Sequence, residues 1–303
     1  MSDIVSDIRR AKKASIDLSV VGTTVKNAAL TRMIHELDKN RNKILEANSL
    51  DLVAAQAMLD AGEITGSMFK RLKVDNFKID GMIEGIRDVI ALPDPVGEQM
   101  SALELDKGLV LYQIRCPIGL IGVIFESRPD VVPQIMSLCL KSGNGVAFKG
   151  GREAGNTIRV LFDVLRKAAS DEGIPADAFV MMESRSDVDS ILGLNGLVDL
   201  LIPRGSNQFV QYIQSHTSIP VLGHAAGICH VYVDDKADLE LAYKVVLDSK
   251  IQYPAVCNAT ETLLVNSAVA ESFLPKMLSL FSENGVEVRG DERVVTFGNC
   301  IPA

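Results

Sequence analysis

The spacing of hydrophobic residues changes twice along the chain. Over residues 1–90, apolar positions recur at helical spacing with charged residues opposite, which predicts an α-helical layer. Three helices are predicted in this layer, over 11–17, 26–47 and 51–61. Asn48, Ser49 and Asp51 have turn and cap chemistry, so we expect the second and third helices to meet there.

A hairpin and then an alternating pattern follow the helical layer. Residues 103–115 alternate between apolar and polar side chains and turn near 106–108, which is typical of two antiparallel strands. From Pro117 strands and helices alternate, and this order predicts right-handed crossovers and a parallel, doubly wound sheet. The predicted strands span 118–125, 145–149, 179–182, 198–203 and 220–222, and the predicted helices span 131–142, 155–169, 187–194 and 206–214.

After Gly227 the pattern restarts with fewer strands. Strands are predicted over 228–233, 261–265 and 286–288, and helices over 239–251 and 268–283. Two or three strands are fewer than a self-sufficient sheet usually holds. We therefore predict two domains: residues 1–226, with the hairpin at about 97–115, and residues 227–303, expected to be the first part of a truncated α/β domain.

Composition and charge narrow the class of function. The chain has 303 residues, of which 47% are hydrophobic and 23% charged, as in an ordinary globular protein. Its formal net charge is −8 and no basic run is interleaved with aromatic residues, which argues against nucleic acid as a partner. No apolar stretch reaches membrane-span length and no signal-peptide pattern opens the chain, so we expect a cytoplasmic protein without a membrane partner. The five cysteines match neither a disulfide framework nor a metal motif.

Three strand-to-helix junctions carry candidate binding chemistry. They are 126–129, 149–153 and 203–206. Ligands of doubly wound sheets lie off the carboxyl ends of the strands, and a helix N-terminus with nearby cations suits a phosphate group. The glycine fingerprint of the standard dinucleotide-binding fold and the Walker A loop are both absent from the sequence.

One segment of the second predicted domain has the pattern of a nucleophile on a loop. Cys257 stands between Pro254, which biases its predecessor towards extended geometry, and an apolar run at 262–265 that predicts a buried strand. A lone cysteine is more often a small buried hydrophobe, and on local pattern that interpretation is slightly ahead. Asn258 and Thr260 shift the balance, because both are poor companions for a purely apolar core position.

Six segments, taken in order along the chain, form a pattern specific to one family. They are 116–129 (CPIGLIGVIFESRP), 139–144 (CLKSGN), 149–154 (KGGREA), 202–206 (IPRGS), 227–234 (GICHVYVD) and 253–265 (YPAVCNATETLLV). Together they resemble the gamma-glutamyl phosphate reductases of the aldehyde dehydrogenase superfamily. The resemblance implies an α/β fold of aldehyde-dehydrogenase type: a doubly wound, Rossmann-like cofactor domain, an α/β catalytic domain and a projecting β-hairpin.

The resemblance implies a reaction as well. It is the NADPH-dependent reduction of L-glutamyl 5-phosphate to L-glutamate 5-semialdehyde with release of phosphate, in proline biosynthesis. Cys257 takes the family's nucleophile position, with Asn258 beside it in the catalytic set, and its thiolate would form a thioester that accepts hydride. The backbone N–H of Cys257 is the expected oxyanion donor. Ser127 stands where the superfamily has an asparagine donor, which leaves the second donor open.

The same resemblance implies cofactor and substrate contacts. Lys149 matches the position that holds the adenosine ribose, and Arg152 stands where NAD-preferring relatives often have glutamate, which implies a preference for NADPH. The alternative, a solvated surface pair, is weaker because two glycines separate these residues. Gly205 and Ser206 would meet the pyrophosphate at a helix N-terminus. Arg128 either binds the substrate's phosphate or carboxylate or braces its own turn, and the two interpretations are equal.

Two alternative functions stay open. One is another aldehyde dehydrogenase, although members that hydrolyse their thioester use a glutamate a few dozen residues before the cysteine, and 222–227 holds no carboxylate. The other is a catalytically inactive fragment, because much of the superfamily's C-terminal part is expected beyond Ala303.

The expected partners are the small-molecule substrate, a separate glutamate 5-kinase that supplies the acyl phosphate, and further copies of the chain, which would form a homo-oligomer through 97–115.

Overall fold

The chain forms two compact units, Met1–His224 and Ala225–Ala303. The computed structural model describes residues 4–126, 128–205, 207–223, 227–254, 256 and 258–303, without the side chains of Ser67, Arg185 and Asn207. The helices within these ranges are α1 Ile4–Ser19, α2 Thr23–Lys39, α3 Arg41–Asp60, α4 Gly66–Leu72, α5 Asn76–Ala91, α6 Val131–Lys141, α7 Gly155–Asp171, α8 Arg185–Leu192, α9 Asn207–Ser215, α10 Leu239–Ile251 and α11 Ser267–Glu283. The strands are β1 Gln99–Asp106, β2 Leu109–Ile114, β3 Leu120–Phe125, β4 Gly145–Lys149, β5 Phe179–Met181, β6 Leu200–Arg204, β7 Cys229–Val233, β8 Thr260–Val265, β9 Arg289–Gly290 and β10 Ile301–Pro302.

The helical layer is present as predicted, but its boundaries differ, and α1 begins at Ile4 rather than at residue 11. The helix predicted over 26–47 breaks at Asn40, whose backbone leaves helical geometry and whose Nδ2 donates to the Glu36 carbonyl at 2.8 Å. α3 then runs through the predicted turn, because Asn48 and Asp51 are buried and make hydrogen bonds to other elements of the unit. α4 and α5 complete the layer and were not predicted as separate helices.

The central sheet of the first unit confirms the parallel, doubly wound prediction. Its strand order is β5-β4-β3-β6, and each neighbouring pair is parallel. β3 is buried along its whole length, with Ile124 in the core on one face and Phe125 in the core on the other. Helices cover both faces, which explains why these strands are continuous apolar runs in the sequence. The strand predicted over 220–222 is reduced to a single bridge between Val221 and Leu201.

β1 and β2 form the predicted hairpin, which begins at Gln99 rather than at residue 103. The strands are antiparallel, with Ala102 opposite Tyr112. Gly108 closes the turn at a φ of 79°, a left-handed conformation that glycine adopts without strain. Every residue of both strands is exposed, so the hairpin projects from the described part of the first unit.

The second unit has a smaller sheet and its own core. β7 and β8 pair in parallel, and α10 and α11 pack beside them, where Tyr243 stacks on Phe273 with ring centroids 4.7 Å apart. The strand predicted over 286–288 is wrong. Val286 and Val288 pack against the core as partly buried residues, and the strand β9 begins after them and pairs in parallel with β10.

Candidate active site

The carboxyl ends of β3, β4 and β6 lie side by side at one edge of the central sheet. The register places Ile124 beside Lys149 and Phe125 beside Arg204. The strand order reverses at β3, because β4 lies on one side of it and β6 on the other. Ligands of doubly wound sheets bind in the crevice at such a reversal. The structure therefore brings the predicted cofactor residues Lys149 and Gly205 to this edge.

Lys149 ends β4 with a half-buried side chain. Its Nζ donates to the Gly150 carbonyl at 2.5 Å. Burial lowers the pKa of Lys149, and the carboxylates of Glu153 and Asp187 oppose this change in part. A cation that is partly withdrawn from water acts more strongly on an incoming ligand than one on the open surface.

Two glycines bring the backbone close to its neighbours at this edge. A Cβ on Gly150 would clash with Ile158 of α7. A Cβ on Gly205 would lie 3.0 Å from the Phe209 ring and 3.0 Å from the carboxyl carbon of Glu126. Glycine positions in a loop have no side chain to shield the backbone, so the N–H groups there are accessible to a phosphate. These two positions, together with Lys149, fit a nucleotide cofactor.

Arg152 and Arg128 are both exposed and loosely paired. Arg152 Nη2 lies 3.7 Å from Glu63 Oε2, and 81% of its side chain is exposed. Arg128 Nη2 lies 3.7 Å from Asp130 Oδ2, and 47% of its side chain is exposed. Exposed ion pairs of this kind contribute little to stability, so neither guanidinium group is held away from an anionic ligand.

Two further charged residues, Glu126 directly after β3 and Arg71 in α4, are not among the predicted site residues. Burial raises the pKa of the Glu126 carboxyl, the nearby carboxylate of Glu153 raises it further, and the Arg71 guanidinium opposes both. Glu126 had one signal, its place directly after β3. Arg71 belongs to α4 in the helical layer and had none, because an arginine on a short helix looks like an ordinary surface residue.

The four helices that follow the sheet strands differ in the charge at their N-termini. α6 follows Asp130, and the first backbone N–H groups of α7 donate to the buried carboxylate of Asp51 from α3. α8 begins with a reciprocal capping box of Ser184 and Asp187. α9 begins at Asn207 and has no acidic residue in its first turn, and the Glu126 carboxyl lies beside Gly205 just before it. Since a helix N-terminus stabilises negative charge and no acidic residue caps α9 from its own first turn, the start of α9 suits a phosphate.

The predicted nucleophile Cys257 lies outside the described residues, as do Ser127 and Ser206. Residues 252–259, which we name the thiol segment, connect the end of α10 to the start of β8 in the second unit. Asn258 is exposed within this segment. The described elements on either side of Cys257 are α10, which ends at Ile251, and β8, which begins at Thr260.

The flanks of the thiol segment are held by a few local hydrogen bonds. The backbone N–H of Val256 donates to the Tyr253 carbonyl at 3.4 Å, and that of Ala259 donates to the Val256 carbonyl at 3.2 Å. At the start of β8 the buried Thr260 donates through Oγ1 to Ser249 Oγ at 2.9 Å. This bond ties the exit of the segment to the last turn of α10.

Three further features bear on the class of site. None of the helices described is long and apolar enough to cross a membrane. In the described part of the chain, no group of three His, Cys, Asp or Glu side chains is placed to hold a metal ion. A groove of about 540 Å³ lies away from the sheet edge, between α2 and α5, and is lined by side chains that include His35, Arg41 and Phe77.

Comparisons with known proteins agree with this architecture. Residues 2–298 match the aldehyde dehydrogenase family. The chain is 60% identical over 291 residues to the gamma-glutamyl phosphate reductase of Methanosarcina barkeri, and this alignment covers 96% of this chain and 65% of that protein. It is 50% identical over 295 residues to the gamma-glutamyl phosphate reductase of Pelotomaculum thermopropionicum, and this alignment covers 97% of this chain and 67% of that protein. The crystal structure of the Thermotoga maritima gamma-glutamyl phosphate reductase matches with a TM-score of 0.93 and 34% identity over 100% of this chain and 73% of that chain.

These matches confirm the predicted fold class and the predicted family. The chain spans about two thirds, 65%, of the length of the first of these relatives. The aldehyde dehydrogenase fold follows from the family match and from the structural match together. The chain belongs to the aldehyde dehydrogenase family and, within it, to the gamma-glutamyl phosphate reductases.

Proposed function

We propose that this chain carries the cofactor-binding part and the nucleophile of an enzyme that reduces L-glutamyl 5-phosphate to L-glutamate 5-semialdehyde, with release of phosphate, in proline biosynthesis. The observation that carries the proposal is the 60% identity over 96% of the chain to a gamma-glutamyl phosphate reductase. The absence of a carboxylate at 222–227 favours this reaction over hydrolysis by another aldehyde dehydrogenase.

The covalent step belongs to Cys257 on the thiol segment. Its thiolate attacks the acyl carbon, the bond from that carbon to the phosphate oxygen breaks, and phosphate leaves with the electron pair and takes a proton from water. The backbone N–H of Cys257, with Ser127 as the second donor, stabilises the oxyanion. After hydride has added to the thioester carbon, the carbon–sulfur bond breaks, the thiolate is restored and the aldehyde leaves. Asn258, exposed beside the nucleophile, completes the catalytic set.

The cofactor part of the proposal concerns the first unit. The aldehyde dehydrogenase family uses NAD or NADP, and bound NADPH would supply the hydride. Lys149 would hold the adenosine ribose, and Arg152 would bind the 2′-phosphate and so favour NADPH. Gly205 and Ser206 would hold the pyrophosphate at the N-terminus of α9, where the first turn has no acidic residue.

Substrate and protein partners complete the proposal. Arg128 would bind the substrate's phosphate or carboxylate, while its 3.7 Å pair with Asp130 supports the alternative of bracing the turn. A separate glutamate 5-kinase would supply the acyl phosphate in the cytoplasm. The exposed hairpin at about 97–115 would join further copies into a homo-oligomer, since its strands present unpaired edges.

The first test is phosphate-dependent reduction of NADP⁺ with glutamate 5-semialdehyde, the reverse reaction. The wild type is compared with Cys257→Ser, both in this chain and in a chain of the full length of its relatives. We expect the serine variant to lose at least about a thousandfold in turnover, because a neutral hydroxyl replaces the thiolate.

Cys116→Ser is the matched control, because Cys116 is an exposed cysteine outside the proposed site. It should retain wild-type turnover. Cys139 is a poor candidate for the nucleophile, since burial raises its pKa to about 12 and keeps its thiol protonated. Turnover in the full-length Cys257→Ser protein, or turnover of unrelated aldehydes without phosphate, would contradict the proposal.

A further inference from the structure

A buried carboxylate from the helical layer holds the start of the helix after β4. Asp51 lies in the middle of α3, and only 3% of its surface is exposed. Its Oδ1 accepts from the backbone N–H of Asn156 at 3.1 Å and from Asn156 Nδ2 at 2.9 Å. Its Oδ2 accepts from the backbone N–H of Thr157 at 2.8 Å and from Thr157 Oγ1 at 2.6 Å. Both partners belong to the first turn of α7.

Asn48, one turn before Asp51 on α3, extends this network. Its Nδ2 donates to Thr157 Oγ1 at 3.2 Å and to the Leu72 carbonyl at 2.8 Å, and its Oδ1 accepts from the Val74 backbone N–H at 2.8 Å. The side chain therefore ties α3 and the segment after α4 to the same turn of α7. Asn48 is 1% exposed and Thr157 is fully buried, so water does not compete for these bonds.

α7 needs such a partner because no side chain next to its N-terminus in the sequence caps it. The N-cap residue of α7, Ala154, has no side-chain acceptor for the first N–H groups of the helix. Asp51 supplies one from a distant part of the chain, and the positive end of the α7 dipole stabilises the buried charge in return. The turn that leads into this helix begins with the short 3-10 segment Arg152–Ala154.

We propose that Asp51, supported by Asn48, is a positioning residue for the cofactor-binding junction at residues 149–154, acting through the first turn of α7. The inference rests on the proposed function, in which Lys149 and Arg152 bind the nucleotide. By holding Asn156 and Thr157, Asp51 fixes the position of the residues that directly follow the junction. It also uses the N–H groups of α7 that a phosphate would otherwise bind, so the pyrophosphate is directed to α9.

The test measures the NADPH dissociation constant by fluorescence titration, together with amide hydrogen exchange of residues 149–157 in the absence of cofactor. Asp51→Asn keeps the shape of the side chain but turns an acceptor oxygen into a donor that faces other donors. We expect NADPH binding to weaken by roughly tenfold or more, because small displacements of a site reduce its interactions steeply. Exchange at 149–157 should become faster in the same variant.

Asp238→Ala is the matched control, because Asp238 also caps a helix, accepting from the Leu241 backbone N–H at 3.1 Å at the start of α10 in the second unit. It should lower stability by about 1 kcal/mol yet leave the NADPH dissociation constant within about twofold, because its contacts share no residue with those of Asp51. A purely structural role of Asp51 would behave in the same way, since loss of stability in a protein that stays folded does not change its affinity.

A milder pair of variants covers the case in which Asp51→Asn does not fold. Thr157→Val removes one donor to Asp51 and should weaken NADPH binding and speed exchange, whereas Thr157→Ser keeps the hydroxyl and should match the wild type. The inference is overturned if Asp51→Asn, or Thr157→Val in its place, binds NADPH as tightly as the wild type, or if Asp238→Ala weakens binding equally. If the wild type binds no NADPH, the proposed cofactor fails, and the exchange rates still decide whether Asp51 holds the junction.

Discussion

The β4–α7 junction and the thiol segment are built in different ways. The junction combines a bond within its loop, from Lys149 Nζ to the Gly150 carbonyl, with contacts from two distant parts of the first unit. Asp51 bonds the helix that follows, and Glu63 lies 3.7 Å from Arg152. In the thiol segment the described backbone bonds reach only a few residues along the chain, and Tyr253 is 59% exposed.

The difference suggests a division of labour between the two regions. A binding loop that is ordered before the ligand arrives loses less entropy on binding, which favours affinity. A nucleophile has to be presented to a substrate, and the described neighbours Tyr253, Val256 and Asn258 are exposed. Substitutions at the junction should therefore act on folding and cofactor affinity, and substitutions around the nucleophile should act on turnover.

The largest expected effect is a difference in stability between two aromatic substitutions, one in the strand before the junction and one in the thiol segment. Phe148 in β4 is 1% exposed and meets the rings of Phe125 and Phe162 edge to face, with centroids 6.4 Å and 6.0 Å away. Phe148→Ala should lower the free energy of unfolding by about 3–5 kcal/mol. Tyr253→Ala, beside the nucleophile, should change it by less than about 0.5 kcal/mol. Urea denaturation measures both, and similar losses would show that the two regions are equally embedded.

A smaller effect separates cofactor choice from cofactor binding at the junction. Arg152→Glu should weaken NADPH binding by about tenfold, because a carboxylate replaces the cation that we propose binds the 2′-phosphate. NADH binding should stay close to the wild-type value. Glu63→Gln is the control: it removes the carboxylate 3.7 Å from Arg152 and should slightly strengthen NADPH binding. Equal weakening for NADPH and NADH would assign Arg152 a role other than 2′-phosphate recognition.

The smallest effect concerns the charge on Lys149. Burial lowers the pKa of Lys149 from its ordinary value of 10.5. At a pH below the lowered pKa the lysine is charged in both the folded and the unfolded chain, and burying this charge makes the folded chain less stable. Lys149→Met should stabilise the cofactor-free chain at pH 7 by less than about 1 kcal/mol, because solvent screens a half-exposed group. The advantage should shrink as the pH rises through the lowered pKa towards 10.5, where the unfolded chain holds the proton longer. Thermal unfolding at several pH values measures this, and an advantage that grows with pH would contradict it.

Helix boundaries show where local pattern loses its predictive value. The stripe of apolar residues predicts the helical layer, but it does not distinguish one long helix from two that meet at Asn40, because the stripe continues across the break. Asn48 and Asp51 have the composition of a turn, and they are nevertheless in the middle of α3. Their polar groups are satisfied by α7 and by the segment after α4, over 100 and about 25 residues along the chain respectively. Partners at such a distance leave no signal in the local pattern.

The sequence by itself determined the alternation of strands and helices, the hairpin and the family, because each depends on residues that lie close together along the chain or on short motifs in a set order. It also predicted Lys149 and Gly205 at the ends of strands, where the structure has them and where binding residues of such folds are found, whereas Cys257 stays a prediction outside the described residues. The tertiary structure decided which carboxylate caps which helix, which arginine approaches which acid, and that the Arg71 guanidinium of α4 opposes the raised pKa of Glu126. These contacts join elements that are far apart in the chain, and the physical reason they form is the packing of helices on both faces of the parallel sheet.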